Sequence, residues 1–176
     1  IGGTILQGKL NYYGYFQYKR GDGWRPNSEF NYRCAYASAE YRATPKLSIR
    51  FDLTRMDYLA HQPGGLTDKL FADDPRQSVR SRNWFQVDWN LAAISINYDF
   101  SEKTRLNVRN FGLLAQRQSL GNLERINVAD FGDNRTLIDG TFRNFGQEAR
   151  LLHQYAIGEM PQTLLIGYRL YYGHST

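Results

Sequence analysis

Cysteine is nearly absent: Cys34 is the only one in 176 residues, which excludes an internal disulfide and any site built from several thiolates. Histidine is almost as sparse, and His61, His153 and His174 are far apart with no ligand spacing, so the sequence offers no metal centre. Long apolar runs are missing too. The mean hydropathy is −0.59, and no stretch approaches the ~20 apolar residues of a membrane-spanning helix. No paired carboxylates and no nucleophile with its base can be placed at one rim, so the chain reads as a non-enzyme. The basic residues form no run and carry no RNA-binding aromatic signature, and no nucleic-acid partner is expected.

What is present is arginine and aromatic side chains. Of 22 basic residues 17 are Arg, against 17 acidic residues, for a net charge of +5. A planar guanidinium fork suits carboxylate and phosphate, so this bias favours salt bridges in a wall or an anionic ligand. Aromatics make up 15% of the chain, with 13 Tyr and 10 Phe against 3 Trp. Tyrosines bunched as in Asn11 to Tyr18 and at Tyr171-Tyr172 suit the interfacial girdles of a membrane barrel, although Tyr is also simply a good strand former.

The apolar residues alternate. Leu47, Ile49, Phe51 and Leu53 fall on one side of a strand and Ser48, Arg50 and Asp52 on the other; the pattern returns at 85–91, 94–100 and 106–109. This period of two marks strands. In a soluble sandwich the polar side meets bulk water, whereas in an outer-membrane barrel the apolar side meets lipid and the polar side a wet interior. Seven strands are expected, over 5–19, 29–43, 47–60, 83–100, 105–117, 142–156 and 163–174, with a short helix near Leu66–Asp74. In the fourth, the apolar positions are odd up to Leu91 and even from Ile94. Such a phase change predicts a β-bulge at Ala92-Ala93. In the second, Ala37, Ala39 and Tyr41 take over the apolar side from Tyr32, Cys34 and Tyr36.

The connections alternate in length. Those at 44–46, 101–104 and 156–162 are short, while 21–28, 61–82 and 118–141 are long and polar. Short turns on one rim and long loops on the other are expected of an up-and-down barrel. Seven strands would leave two open edges, which lipid does not tolerate. The expected fold is therefore all-β, an antiparallel meander forming an arc of a larger wall, and the chain reads as a piece of a longer one.

Three loop segments carry a resemblance: Gly21-Asp22-Gly23-Trp24-Arg25-Pro26-Asn27-Ser28, Met56 to Asp68 with its AHQPGGLTD run, and Asp73 to Phe85 with DDPRQSVRSRNWF. With them the chain resembles the barrel of TonB-dependent outer-membrane receptors, most of all the ferric-citrate branch. The resemblance implies a bacterial outer-membrane protein with a transmembrane barrel of about 22 strands around a plug. Residues 1–176 would be an early-to-middle part of that barrel with its extracellular loops, and no plug domain lies in this chain. It further implies an anionic chelate such as ferric citrate as ligand, iron entering only within that substrate and no cofactor of the protein's own, and TonB engaged through the absent plug region. Lipid and the remaining strands would be the other partners.

The resemblance places ligand-binding arginines at Arg117, where the fifth strand ends, and Arg143, where the sixth begins; Arg80, Arg82 and Arg125 are further candidates on the same rim. Arg50, Arg109, Arg150 and Arg169 read instead as wall struts paired with Asp52, Asp88, Asp99 and Glu148. Uptake of another siderophore or nutrient, or a structural role in an envelope assembly, stays open at this point. So does a soluble β-domain, which would bury Leu47, Ile49, Phe51 and Leu53 under a second sheet.

Overall fold

The computed structural model describes residues 1–176 apart from 126, 127, 129 and 131. Eight antiparallel strands follow one another in a single sheet: β1 (Gly2–Ile5), β2 (Leu10–Gly21), β3 (Phe30–Thr44), β4 (Leu47–His61), β5 (Trp84–Ser101), β6 (Thr104–Gly121), β7 (Thr136–Ile157) and β8 (Met160–Ser175). Each strand pairs only with its neighbours in sequence, so the chain is an up-and-down meander. Short turns join strands along one edge. The three long connections, 22–29, 62–83 and 122–135, all emerge at the other, as the sequence pattern expects. The second of them carries the expected short helix, α1 (Asp68–Asp73), whose first turn is capped by the Thr67 hydroxyl accepting from the Leu70 amide.

Two strand assignments change. The expected first strand is two strands, because Leu6, Gln7 and Gly8 all adopt left-handed backbone and reverse the chain. The seventh strand begins at Thr136, six residues before the sequence suggests. There Asp139 accepts hydrogen bonds from the Gln116 and Gln118 side chains across the β6–β7 pair. Those two donors hold the Asp139 carboxyl below its ordinary range. Changing both glutamines to leucine is expected to return Asp139 towards the ordinary value, read by a carboxyl-carbon NMR titration. Since the folded value is the lowered one, these bonds support the β6–β7 end above the ordinary carboxylate range and lose that support as pH falls through the depressed value.

Among the described residues no second layer covers the sheet. Among the described residues the buried apolar side chains are Cys34, Val87 and Ala93, whereas Phe51 is 46% and Leu53 41% exposed. A soluble sandwich would bury that row under a second sheet, and these residues supply none.

Pairing partners share a face, so the register sorts every strand residue onto one of two surfaces. The row Tyr13, Ser38, Asp52, Ala93, Phe111, Gly146, Tyr171 belongs to the Arg50 face. The row Gly14, Ala37, Leu53, Ala92, Gly112, Phe145, Tyr172 belongs to the Phe51 face. Near the turn edge the division is as expected. Ile49, Phe51, Ile94, Ile96, Val108 and Ala149 lie on the Phe51 face, and Arg50, Ser95, Arg109 and Glu148 on the other. Ala37, Ala39 and Tyr41 do take the Phe51 face.

Above the Leu53–Ala92–Gly112–Phe145 row the polarity inverts. The Phe51 face now carries Arg55, Asn90 and Arg143, then Asp57, Asp88 and Gln116, while the Arg50 face carries Met56, Trp89 and Phe142, then Tyr58 and Val87. The expected bulge at Ala92-Ala93 is absent: Leu53 pairs with Ala92, Asp52 with Ala93, Ala92 with Gly112 and Ala93 with Phe111 without a break. Register shifts occur instead beside the turns, between Arg42 and Thr44 and between Asp99 and Ser101. The phase change therefore marks an exchange of the apolar side along a strand whose register is unbroken through that row.

Candidate ligand-binding face

The loop-end half of the Arg50 face is a shelf of rings with one guanidinium. Tyr32 and Tyr58 meet edge to face at 6.2 Å, and Tyr58 meets Phe85 at 6.5 Å. Arg117 pairs with Val87 and Gly140 and places its guanidinium 5.5 Å from the Phe85 ring centre. Phe85, Val87, Trp89, Leu113, Phe142 and Arg117 surround a hollow of about 420 Å³. The cation sits over a ring, so part of its hydration is replaced by the ring's negative face while its donors stay free for an anion. Arg117 makes no ion pair or side-chain hydrogen bond among the described residues.

Below this shelf the same face becomes charged. Arg50 donates to both oxygens of Asp52, two residues along the strand, and Asp52 also accepts from Tyr36 at 2.6 Å. Glu148 receives Arg150 at 2.7 Å and Arg169 at 3.3 Å. Arg109 stands between these groups without a hydrogen bond or ion pair among the described residues. Arg50, Asp52, Arg109 and Glu148 bound a hollow of about 610 Å³ together with Tyr36, Ser95 and Phe111. The strut expectation is therefore right for Arg50, Arg150 and Arg169 but not throughout. Asp88 is on the other face, bound by Arg55 at 2.6 Å, and Asp99 is held by Arg105.

The tyrosine cluster divides in the same way. Tyr12 and Tyr18 point to the Phe51 face, but Tyr13 and Tyr15 point to the Arg50 face, where their rings meet Tyr36 at a tilt with centroids 6.2 and 5.6 Å away. Only half of that run is thus available for a girdle.

The arginines marked by the sequence fall into different places. Arg143 pairs with Leu114 and lies on the Phe51 face, so the sheet separates it from Arg117. The two cannot jointly contact one small ligand, a correction that follows from strand parity. Arg80 is 2% exposed. Its guanidinium donates to the carbonyls of Val79, Glu124, Arg125 and Val128 at 2.8 to 3.1 Å, which ties the second long loop to the third. With its fork filled and its surface covered, Arg80 is a loop staple, not a free ligand contact. Arg82 donates to the Asp133 carbonyl and lies 3.8 Å from Asp130, still partly exposed. Arg125 is exposed and accepts from Arg80 through its carbonyl.

Two residues of the first long loop escaped the sequence reading. Arg25 donates to the carbonyls of Gly64 and Gln77 at 2.9 Å, and Asn27 donates to those of Gln62 and Asn83 while its amide oxygen sits 2.9 Å from His61 Nδ1. Asn27 does so from left-handed backbone, φ 57°, a conformation Asn tolerates better than most. These partners lie 34 to 56 residues away in the chain, beyond what local spacing reveals. The three loops are thereby pinned into one rim above the ring shelf. Gly64 is part of the fit: at φ +81° it packs where an added Cβ would stand 2.7 Å from Val79 Cγ2 and 2.9 Å from Arg80 Cγ. Gly64→Ala is expected to cost about 2 to 3 kcal/mol of local stability through left-handed strain and crowding. Faster proteolysis of the 62–83 loop in the variant would report it.

The sequence matches no family model and no curated protein. Its fold does match solved structures. Against the ferric citrate transporter FecA in its unliganded form, the TM-score is 0.87 at 22% identity, over 99% of this chain and 25% of that one. Against the ferric-catecholate import receptor Fiu from E. coli K12, in an open form, it is 0.76 at 8% identity, over 99% of this chain and 31% of that one. The chain spans about a quarter to a third of the length of these receptors. At such identities the likeness speaks for the fold: these eight strands follow the course of part of the FecA and Fiu chains.

Proposed function

We propose that this chain is part of the wall and outer loops of a TonB-dependent outer-membrane receptor that imports an anionic iron chelate. The polarity inversion within one unbroken sheet carries the reading. Lipid outside the turn-end half accounts for Phe51, Ile94 and Val108; water outside the loop-end half accounts for Asp57, Asp88 and Gln116. The Arg50 face then lines the lumen, with the ring shelf and Arg117 beneath the stapled loops. Barrel strands alone bind but do not pump, so transport calls for a plug and for energy delivered through TonB.

Ferric citrate is the first ligand to test, because it presents carboxylates to Arg117, and a charge-assisted contact of that kind is worth about 1.5 to 3 kcal/mol. Titration of the intact receptor with ferric citrate is expected to show binding weakened at least about tenfold by Arg117→Ala and unchanged by Arg143→Ala. Equal affinity in wild type and Arg117→Ala would remove Arg117 from the site. A second reading rests on the rings: Phe85, Trp89, Tyr58 and Phe142 around one cation also suit an aryl-bearing chelate, whose ring would stack where citrate has only carboxylates. A ferric catecholate binding more tightly than ferric citrate, with the preference lost in Trp89→Ala, would select it.

A further inference from the structure

The Phe51 face carries a hollow of its own, of about 550 Å³, at the level where its polarity changes. Ala92 and Gly112 face one another at its floor, and Leu53, Leu114, Phe145 and Tyr172 form its sides. Arg143 stands at its loop-side end, one row above Phe145. Gly112 has no conformational need to be glycine. Its φ is not left-handed, and an added Cβ would find only the Asn144 carbonyl oxygen, at 3.5 Å, an ordinary contact. Glycine in a strand interior weakens the strand and often marks a place where a ligand approaches closely. Arg143 is exposed and has no ion pair or hydrogen bond among the described residues, unlike Arg55 in the same row, whose fork is filled by Asp88 and Asn90.

An apolar trough ending at one unneutralised guanidinium has the polarity of an acyl lipid with an anionic head. We infer that this hollow holds one acyl chain of a phosphate-bearing lipid of the surrounding leaflet, with Arg143 taking the phosphate. The site rests on the reading of the lower Phe51 face as lipid-facing, and is separate from the chelate site because the sheet lies between them. Its orientation follows from the rows. Chain and hollow share the apolar band, and the phosphate lies level with Arg143, where that band ends.

The test uses the intact receptor in detergent, with dioleoyl phosphatidate and dioleoylglycerol as probes and native mass spectrometry to count lipids retained. Wild type is expected to keep one phosphatidate at least fivefold better than the diacylglycerol. Arg143→Gln should abolish that preference, and Gly112→Leu, which fills the trough, should reduce retention of both. Arg143→Gln is exposed and does not disturb packing, so it decides the matter even where Gly112→Leu folds poorly. Equal retention of phosphatidate by wild type and Arg143→Gln would overturn the site, as would a two-chain species that Gly112→Leu converts to single chains, since a second copy would then occupy the face. Release of wild-type protein from membranes by an alkaline carbonate wash would overturn the membrane reading and this site together. Retention in the membrane with no Arg143 effect overturns the site alone.

Discussion

Arg80→Ala is expected to free the second long loop from the third and to cost about 3 kcal/mol of loop stability. The guanidinium serves four carbonyl oxygens, on Val79, Glu124, Arg125 and Val128, and lies almost wholly out of water. A hydrogen bond to a charged group contributes about 1.5 to 3 kcal/mol, and a buried acceptor left empty costs about 1 to 3. Not all four oxygens would stay dry once the side chain is gone, so the effect is taken well below the sum. Asn27 still ties the first loop to the Gln62 and Asn83 carbonyls, so the loss should be confined to the contact between the second and third loops. Hydrogen exchange read by mass spectrometry checks this. Peptides covering 76–82 and 122–125 should exchange on the order of a hundredfold faster in the variant, with strand peptides unchanged. Arg80→Lys should not restore protection, because a point charge on a flexible stem cannot serve carbonyls on both sides of a fork.

Phe51→Arg is expected to cost about 2 to 4 kcal/mol in folding into a bilayer, and Leu59→Arg at most about 1. The two residues share β4 and one face of it, four rows apart. In a sheet with a uniform outer surface the substitutions would cost about the same. Here Phe51 lies in the apolar band with Ile49, Ile94 and Ile96, whereas Leu59 neighbours Asn31 and Gln86 and sits beyond Arg55 and Asp57. Guanidinium titration of the intact receptor refolded in vesicles measures both costs, and a Leu59 penalty equal to that of Phe51 would contradict the division.

Much of this architecture is legible in the sequence because a strand declares its faces residue by residue. LSIRFDL shows its two sides directly, and the sorting of loops by length shows the meander. The inversion is visible too, as the change of apolar parity around Ala92-Ala93, but parity alone does not tell it from a bulge. A bulge would follow if each face kept one polarity along its length; the structure keeps the register and exchanges the apolar side. Arg143 was misplaced for a related reason. Its own strand holds the clue, since Phe145 and Leu151 share its parity, but facing it against Arg117 needs the β6–β7 register, in which Leu114 meets Arg143. β6 and β7 are joined by the long connection 122–135, whose length fixes no register, so local spacing does not specify the pairing. The roles of Arg80 and Arg25 lay further out of reach, because their acceptors are backbone carbonyls, to which every residue type contributes alike. The short strand β1 was hidden because Leu6 and Gln7 give no turn signal, although both take left-handed backbone.

The proposed receptor wall has lipid outside the turn-end half of the Phe51 face and water outside the loop-end half. Spin labels placed singly at Ile49, Phe51, Leu53, Arg55, Asp57 and Leu59 of the intact receptor in vesicles, with Cys34 replaced by Ser, measure this directly. Relaxation by oxygen, which concentrates in lipid, should dominate at Ile49, Phe51 and Leu53, and relaxation by a water-soluble nickel chelate should dominate at Asp57 and Leu59, with the crossover near Arg55. The same balance of the two relaxants at all six positions would contradict it.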